Sequence, residues 1–137
     1  QCDIMKISEE EVAFVSEQES LEKGVSFIRD NSDIKILFVT LGNKGSIAYY
    51  KDEKIYCGGI HQEHVVDTTG AGDTFCGAVL SRILELGTDA LTEKDIREML
   101  LFANAAASIV VTRKGALCSM PEPEEIRAAT SLIDKVL

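Results

Sequence analysis

The chain has 137 residues, of which 45% are hydrophobic, enough for the core of one domain or of part of a larger one. With 14 basic against 23 acidic residues, the formal net charge of −9 argues against general binding to a nucleic-acid backbone, which needs clustered lysine and arginine. No run of about 18 or more apolar residues is present, so no membrane span is expected.

The first part of the chain alternates strand-like and helix-like segments. The predicted order is a strand in residues 2–7 (CDIMKI), helices in 8–18 (SEEEVAFVSEQ) and 20–31 (SLEKGVSFIRDN), and a strand in 35–41 (KILFVTL). Ser8 is the predicted N-cap of the first helix, with Glu11 three residues later as in a capping box. The continuous apolar run of the last segment is typical of a strand buried on both faces of a parallel sheet.

The second part begins with a turn at GNKG (42–45) and continues to alternate. The predicted elements are two strands joined by a charged turn within 46–59 (SIAYYKDEKIYCGG) and helices in 72–86, 92–113 and 121–137. Gly87 is a plausible C-cap, and Thr92 with Asp95 predicts a second capping box. Strands alternating with helices indicate an α/β layered domain.

The stretch DTTGAGDTF (67–75) carries the chemistry of this sequence. Glycines that follow a strand allow a tight turn, and the first turn of a helix offers unpaired N–H groups and a partial positive charge. Together these features predict an anion site, and a carboxylate just behind it, Asp73, could accept a proton from an attacking hydroxyl. The alternative is that Asp73 is only a helix-terminal residue favoured by the macrodipole.

Three segments resemble the ribokinase-like, or PfkB, family of carbohydrate kinases. They are VVDTTGAGDTFCGAVL (65–80), which closely resembles the family's C-terminal signature, VTLGNKGS (39–46) and FANAAASIVVTRKGA (102–116). The resemblance implies the C-terminal part of a ribokinase-like three-layer α/β/α fold with a mostly parallel sheet. Family members are about twice as long or more, so residues 1–137 are expected to be the nucleotide-binding and catalytic-base half, without the N-terminal half that carries the sugar pocket and lid.

The resemblance also implies roles for particular residues. Asp73 matches the catalytic base that contacts the sugar hydroxyl and deprotonates it, and Gly70, Ala71 and Gly72 match the anion hole. The positions that match the nucleotide site are Thr40, Gly42 and Gly45 in the phosphate loop and Asn104 beside the adenine. Without the resemblance, Gly42 and Gly45 would be interpreted as an ordinary hairpin turn.

Cation sites are implied as well. Many family members bind a monovalent cation, usually potassium, beside the anion hole, and the matching positions are Asp67, Thr69, Val110 and Gly115. Asp67 could alternatively be a turn cap.

The family's magnesium motif, N-x-x-E, falls at Ser8 and Glu11. Serine replaces the family's asparagine, as often happens in fructokinase-like members with Lys-x-Ser. Glu11 could therefore help to order the Mg²⁺ network, cap its helix, or do both.

The remaining histidine, basic and cysteine residues match no specific catalytic or metal-binding motif. His61 and His64 are predicted to be surface residues, and Arg113 and Lys114 either contact phosphate or are exposed to solvent. The four cysteines form no CxxC pair, so zinc and redox motifs are unsupported and buried, reduced thiols of a cytosolic protein are expected.

The activity implied by the resemblance is ATP-dependent phosphorylation of a sugar hydroxyl, with fructose as the favoured substrate. The alternatives are a ribokinase, another sugar or nucleoside kinase of the family, or a nucleotide-binding part without catalysis. ATP, Mg²⁺ and K⁺ are the expected cofactors, and the parent enzyme is expected to be a cytoplasmic homodimer without nucleic-acid or membrane partners.

Overall fold

A computed structural model describes residues 2–115 and 117–133, and each predicted element is present near its predicted bounds. The strands are β1 (Ile4–Ser8), β2 (Ile36–Thr40), β3 (Gly45–Tyr50) and β4 (Glu53–Gly58), and the helices are α1 (Glu9–Ser16), α2 (Leu21–Asp30), α3 (Ala71–Leu86), α4 (Glu93–Val110) and α5 (Pro123–Ile133). The end of the last predicted helix, 134–137, lies outside the described residues.

The four strands form one sheet in the order β1-β2-β3-β4. Only the β1–β2 pair is parallel, while β2–β3 and β3–β4 are antiparallel. The expectation of a mostly parallel sheet is therefore wrong for the described strands. A parallel pair needs a crossover of about a dozen residues or more, which α1 and α2 supply between β1 and β2. The short turns after β2 and β3 instead return the chain directly.

Helices cover both faces of the sheet, which gives the three layers expected. α1 and α2 pack on one face, where Val12 and Val25 join Leu37 and Val39 of β2 in one apolar cluster. α3, α4 and α5 pack on the other, where Phe75 of α3 meets Phe38 of β2 edge-on with ring centroids 6.3 Å apart. Alternate side chains of β2 enter both cores, which explains its unbroken apolar run and confirms its predicted burial on both faces.

The helices begin in two different ways. α1 and α4 have the predicted capping boxes, Ser8 with Glu11 and Thr92 with Asp95. The residue before α3, Gly70, is in the left-handed region with φ 83°, and no side chain caps this helix. Its first-turn N–H groups are therefore not used by a capping side chain. In the ranges 2–115 and 117–133, no helix combines the length and apolar character needed to cross a membrane.

Candidate functional site

The start of α3 is a glycine-built turn. The N–H of Ala71 donates to the carbonyl of Thr68 at 3.2 Å, and the first helical bond runs from the N–H of Thr74 to the carbonyl of Gly70 at 2.8 Å. Ala71 was predicted to present its N–H group to phosphate, but this N–H is used within the turn. The N–H groups of Gly72 and Asp73 precede the helical ladder and have no intrahelical acceptor. The Asp73 side chain is exposed beside them.

A cavity of about 390 Å³ adjoins this turn and collects the predicted nucleotide residues. Its walls include Thr40, Gly42, Gly45 and Asn104, together with Ala71 and Gly72. The end of β2, the start of β3 and the start of α3 therefore meet around one cavity. Asp73 lies outside this cavity, in a wider groove of about 620 Å³ between α3, α4 and α5.

One wall of the cavity was not predicted. Residues 59–62, directly after β4, line it alongside the loop 40–45 that is predicted to bind the nucleotide. A Cβ on Gly59 would lie 2.2 Å from the carbonyl oxygen of Asn43, so only glycine fits this close approach of two backbones. The Gly58–Gly59 pair was the available signal, but a glycine pair after a strand equally indicates an ordinary turn.

Asn104 lies in the cavity wall, but its amide is bonded to the protein itself. The hydroxyl of Ser46 donates to its Oδ1 at 2.9 Å, and its Nδ2 donates to the carbonyls of Cys57 and Gly58, each at 3.2 Å. Both donors of the amide are therefore used. Asn104 joins α4 to β3 and to the end of β4, and so fixes the wall that residues 59–62 continue.

We expect Asn104→Asp to destabilise the full-length protein by about 1–3 kcal/mol, because a carboxylate cannot donate to the Cys57 and Gly58 carbonyls and leaves them without that donor. Urea unfolding measures the change in the free energy of unfolding. Asn43→Asp, at an exposed turn position, is the matched control and should change stability by no more than about 0.5 kcal/mol. Equal stability of the two variants would contradict the bonding described for Asn104.

Asp67 links the loop before α3 to the chain after α4. Its Oδ1 accepts from the N–H of Thr69 at 2.9 Å and its Oδ2 from the N–H of Gly115 at 3.4 Å. These hydrogen bonds, first those from Thr69 and then that from Gly115, hold the pKa of Asp67 below its usual range. The bond from Thr69 is the turn cap considered from sequence. The carboxylate is thus ionised and beside two of its three predicted partners, Thr69 and Gly115.

Val110, the fourth predicted cation position, is at the end of α4. Its carbonyl accepts from the N–H of Arg113 at 3.1 Å, and the next carbonyl, that of Val111, accepts from Val66 and Asp67 at 2.8 and 3.2 Å. A carboxylate with backbone carbonyls is a hard oxygen set that suits a monovalent cation. Among residues 2–115 and 117–133, no three His, Cys, Asp or Glu side chains are grouped to hold a metal ion.

Glu11 stands at the carboxyl ends of β1 and β2. Its Oε2 accepts from the N–H of Ser8 at 2.7 Å, and its N–H donates to the Ser8 hydroxyl at 3.2 Å, which confirms the capping box. The backbone bond from Ser8, assisted by the charge of Lys6, lowers the pKa of Glu11. Glu11 is therefore an ionised carboxylate that caps α1. Its part in a magnesium network stays a prediction.

Several peripheral expectations have clear outcomes. His61, His64 and Lys114 are exposed. Arg113 donates to the carbonyl of Ser119 and pairs with Glu125, so it ties the loop after α4 to α5.

The prediction of buried thiols is wrong, although all four cysteines are free. Cys2, in the segment before β1, and Cys118, in a short turn before α5, are exposed, while Cys57 and Cys76 are half-buried. Cys2 and Cys118 lie outside the packed layers, and an apolar sequence neighbourhood did not reveal this.

Comparison with known proteins identifies relatives of this chain. Residues 1–123 match the family model described as pfkB family carbohydrate kinase. Fructokinase-1 of Oryza sativa subsp. japonica is 39% identical over 128 residues, which are 92% of this chain and 39% of that protein. Probable fructokinase-4 of Arabidopsis thaliana is 36% identical over 129 residues, 93% of this chain and 39% of that protein. The chain thus spans about two-fifths of the length of these relatives.

Solved structures of fructokinases and ribokinases have the same fold as this chain. Fructokinase from Vibrio cholerae O395, in its form bound to fructose, ADP and calcium ion, has a TM-score of 0.83 and 32% identity over 93% of this chain and 41% of that one. Ribokinase from Thermotoga maritima has a TM-score of 0.76 and 32% identity over 94% of this chain and 42% of that one. The predicted ribokinase-like fold is confirmed.

Proposed function

Because the chain belongs to the pfkB family of carbohydrate kinases, we propose that the full-length protein transfers the γ-phosphate of ATP to a hydroxyl of a sugar, with fructose as the first candidate. The observation that carries this proposal is the cavity in which Thr40, Gly42, Gly45 and Asn104 meet the first turn of α3. Fructokinases at 36–40% identity favour fructose, and ribose comes second because a ribokinase is also similar in structure.

The proposed reaction is a phosphoryl transfer at the first turn of α3. The sugar oxygen forms a bond to Pγ while the bond from Pγ to the bridging oxygen breaks, and ADP leaves with the electrons of that bond. Asp73 accepts the proton of the sugar hydroxyl. The N–H groups of Gly72 and Asp73, at the positive end of the helix, stabilise the charge on the transferring phosphoryl oxygens.

Two cations belong to the proposal, one at the turn before α3 and one near Glu11 at the start of α1. Asp67, with backbone carbonyl oxygens of Thr69, Val110 and Gly115, would hold a monovalent cation, which would add positive charge to the site. Glu11 would orient the water shell of the Mg²⁺ that accompanies ATP. The ionised states of Asp67 and Glu11 support both assignments.

We expect Asp67→Asn to raise the KCl concentration needed for half-maximal activity at least about 10-fold, because the only anionic ligand of the proposed site becomes neutral. Rates at matched ionic strength in KCl and tetramethylammonium chloride measure this. Since the pKa of Asp67 is lowered, the wild-type K⁺ response should persist as the pH falls through the ordinary carboxyl range near about 4 and disappear only below it. Asp33→Asn, at an exposed loop position, is the control, and equal K⁺ responses of the two variants would exclude a cation at Asp67.

The acceptor is tested by measuring ADP release by the full-length protein with a panel of sugars. Fructose, ribose, 2-keto-3-deoxygluconate and nucleosides represent the acceptors of family kinases. The proposal predicts the highest kcat/KM with fructose. A higher value with ribose would replace fructose as the substrate, and ADP release with no acceptor of the panel would overturn the kinase assignment.

A further inference from the structure

The side chain of Lys6 reaches the turn at which α3 begins. Lys6 is in β1, paired in register with Phe38 of β2. Two residues before it, Ile4 packs against the α3–α4 core, so the alternation of the strand directs Lys6 toward the same face. Its Nζ would lie 2.9 Å, and its Cε 3.6 Å, from a Cβ placed on Gly72. The glycine at position 72 thus leaves the space that the Lys6 ammonium uses.

This contact brings together two positive groups. The N-terminus of a helix carries about half a positive charge, so a lysine beside it is electrostatically unfavourable unless an anion is shared between them. In the part of the chain that the structure describes, Lys6 forms no ion pair within 4.0 Å, unlike Lys35, Lys44 and Lys54. The first turns of the two helices that start beside it carry four carboxylates, those of Glu9, Glu10, Glu11 and Asp73. The hydrogen bond from Ser8, assisted by the charge of Lys6, lowers the pKa of Glu11, but among the described residues none of the four forms an ion pair with Lys6 within 4.0 Å.

We propose that Lys6 is a further phosphate-binding residue of the kinase site, whose ammonium donates to a non-bridging oxygen of the phosphoryl group that Gly72 and Asp73 bind through their N–H groups. This inference rests on the proposed function. The proton of the sugar hydroxyl goes to Asp73. A hydrogen bond from an ammonium to a phosphate oxygen is stronger than one between neutral groups.

The test compares Lys6→Met with Lys6→Arg in the full-length protein. Lys6→Met keeps much of the apolar stem and removes the charge, so kcat/KM for ATP should fall about 10- to 100-fold. Calorimetry should show weaker binding of ATP but binding of adenosine within about 2-fold of wild type, because adenosine has no phosphate. Lys6→Arg keeps a cation and should restore a measurable part of the loss. Lys23→Met, on the exposed surface of α2, is the matched control and should match wild type.

The outcomes separate this inference from the kinase assignment. Normal sugar phosphorylation and normal ATP binding by Lys6→Met would overturn the role of Lys6 and leave the kinase assignment standing. If wild type phosphorylates no acceptor, the kinase assignment fails. In that case ATP binding still tests Lys6, because equal ATP affinity of wild type and Lys6→Met would overturn its role as well. Equal losses of ATP and adenosine binding would indicate a packing role and also overturn it. If Lys6→Met does not fold, Lys6→Gln is the second neutral variant for the same comparisons.

Discussion

We expect Asp73→Asn to lower kcat of the full-length protein about 10²- to 10⁴-fold, because asparagine keeps the shape of aspartate but cannot accept the proton of the sugar hydroxyl. KM for ATP should change little, since the N–H groups of Gly72 and Asp73 belong to the backbone. Steady-state ADP release with saturating fructose and ATP measures both constants.

Two controls accompany this variant. Asp33→Asn makes the same chemical change in an exposed loop and should keep wild-type kcat. Asp73 is also in the first turn of α3, where a carboxylate interacts with the helix macrodipole by about 0.3–1 kcal/mol, so unfolding should reveal only a small loss of stability. Near-normal turnover of Asp73→Asn would leave the residue as a helix-terminal carboxylate and remove it from the chemistry.

The second large effect is expected at Gly45, where the loop that we propose binds the nucleotide enters β3. Its φ is 108°, and a Cβ there would lie 2.2 Å from the carbonyl oxygen of Cys57 and 2.5 Å from the backbone nitrogen of Gly59. Both neighbours are backbone atoms, so a change of rotamer cannot relieve the clash. We expect Gly45→Ala to cost about 3 kcal/mol or more in the free energy of unfolding, measured in urea, and to weaken ATP binding.

Two other glycines separate the causes. Gly42 also has positive φ, 59°, but a Cβ there meets nothing within 4 Å, so Gly42→Ala should cost only about 1–2 kcal/mol. Gly77 lies in the interior of α3 with open space around it, so Gly77→Ala should stabilise the protein by about 0.5–1 kcal/mol. Equal costs at Gly42 and Gly45 would show that φ alone, rather than the clash, makes Gly45 necessary.

The sequence predicted features whose signals are local. The capping boxes at Ser8 and Thr92 each depend on two residues three apart, and the helix bounds follow from apolar spacing. The burial of β2 on both faces was also predictable, because a strand with no polar alternation must be covered on each side.

Features that depend on contacts between distant segments were not predictable. The contact of Lys6 with Gly72 and the bonds from the Asn104 amide to β3 and β4 join parts of the chain far apart in sequence. The short turns after β2 and β3 are visible in the sequence and favour antiparallel pairing. The expectation of a mostly parallel sheet was instead taken from the family resemblance. The resemblance indicated residues that surround the proposed nucleotide cavity, whereas their hydrogen bonds are visible only in the structure.

Phosphorus NMR of the full-length protein with ATP, Mg²⁺ and fructose tests the central claim most directly, because it follows the fate of the γ-phosphate. The account predicts that its signal is replaced by that of a phosphate monoester, with ADP in equal amount, and that Asp73→Asn forms this ester about 10²- to 10⁴-fold more slowly. Inorganic phosphate without an ester, or ester formation by Asp73→Asn at the wild-type rate, would contradict it.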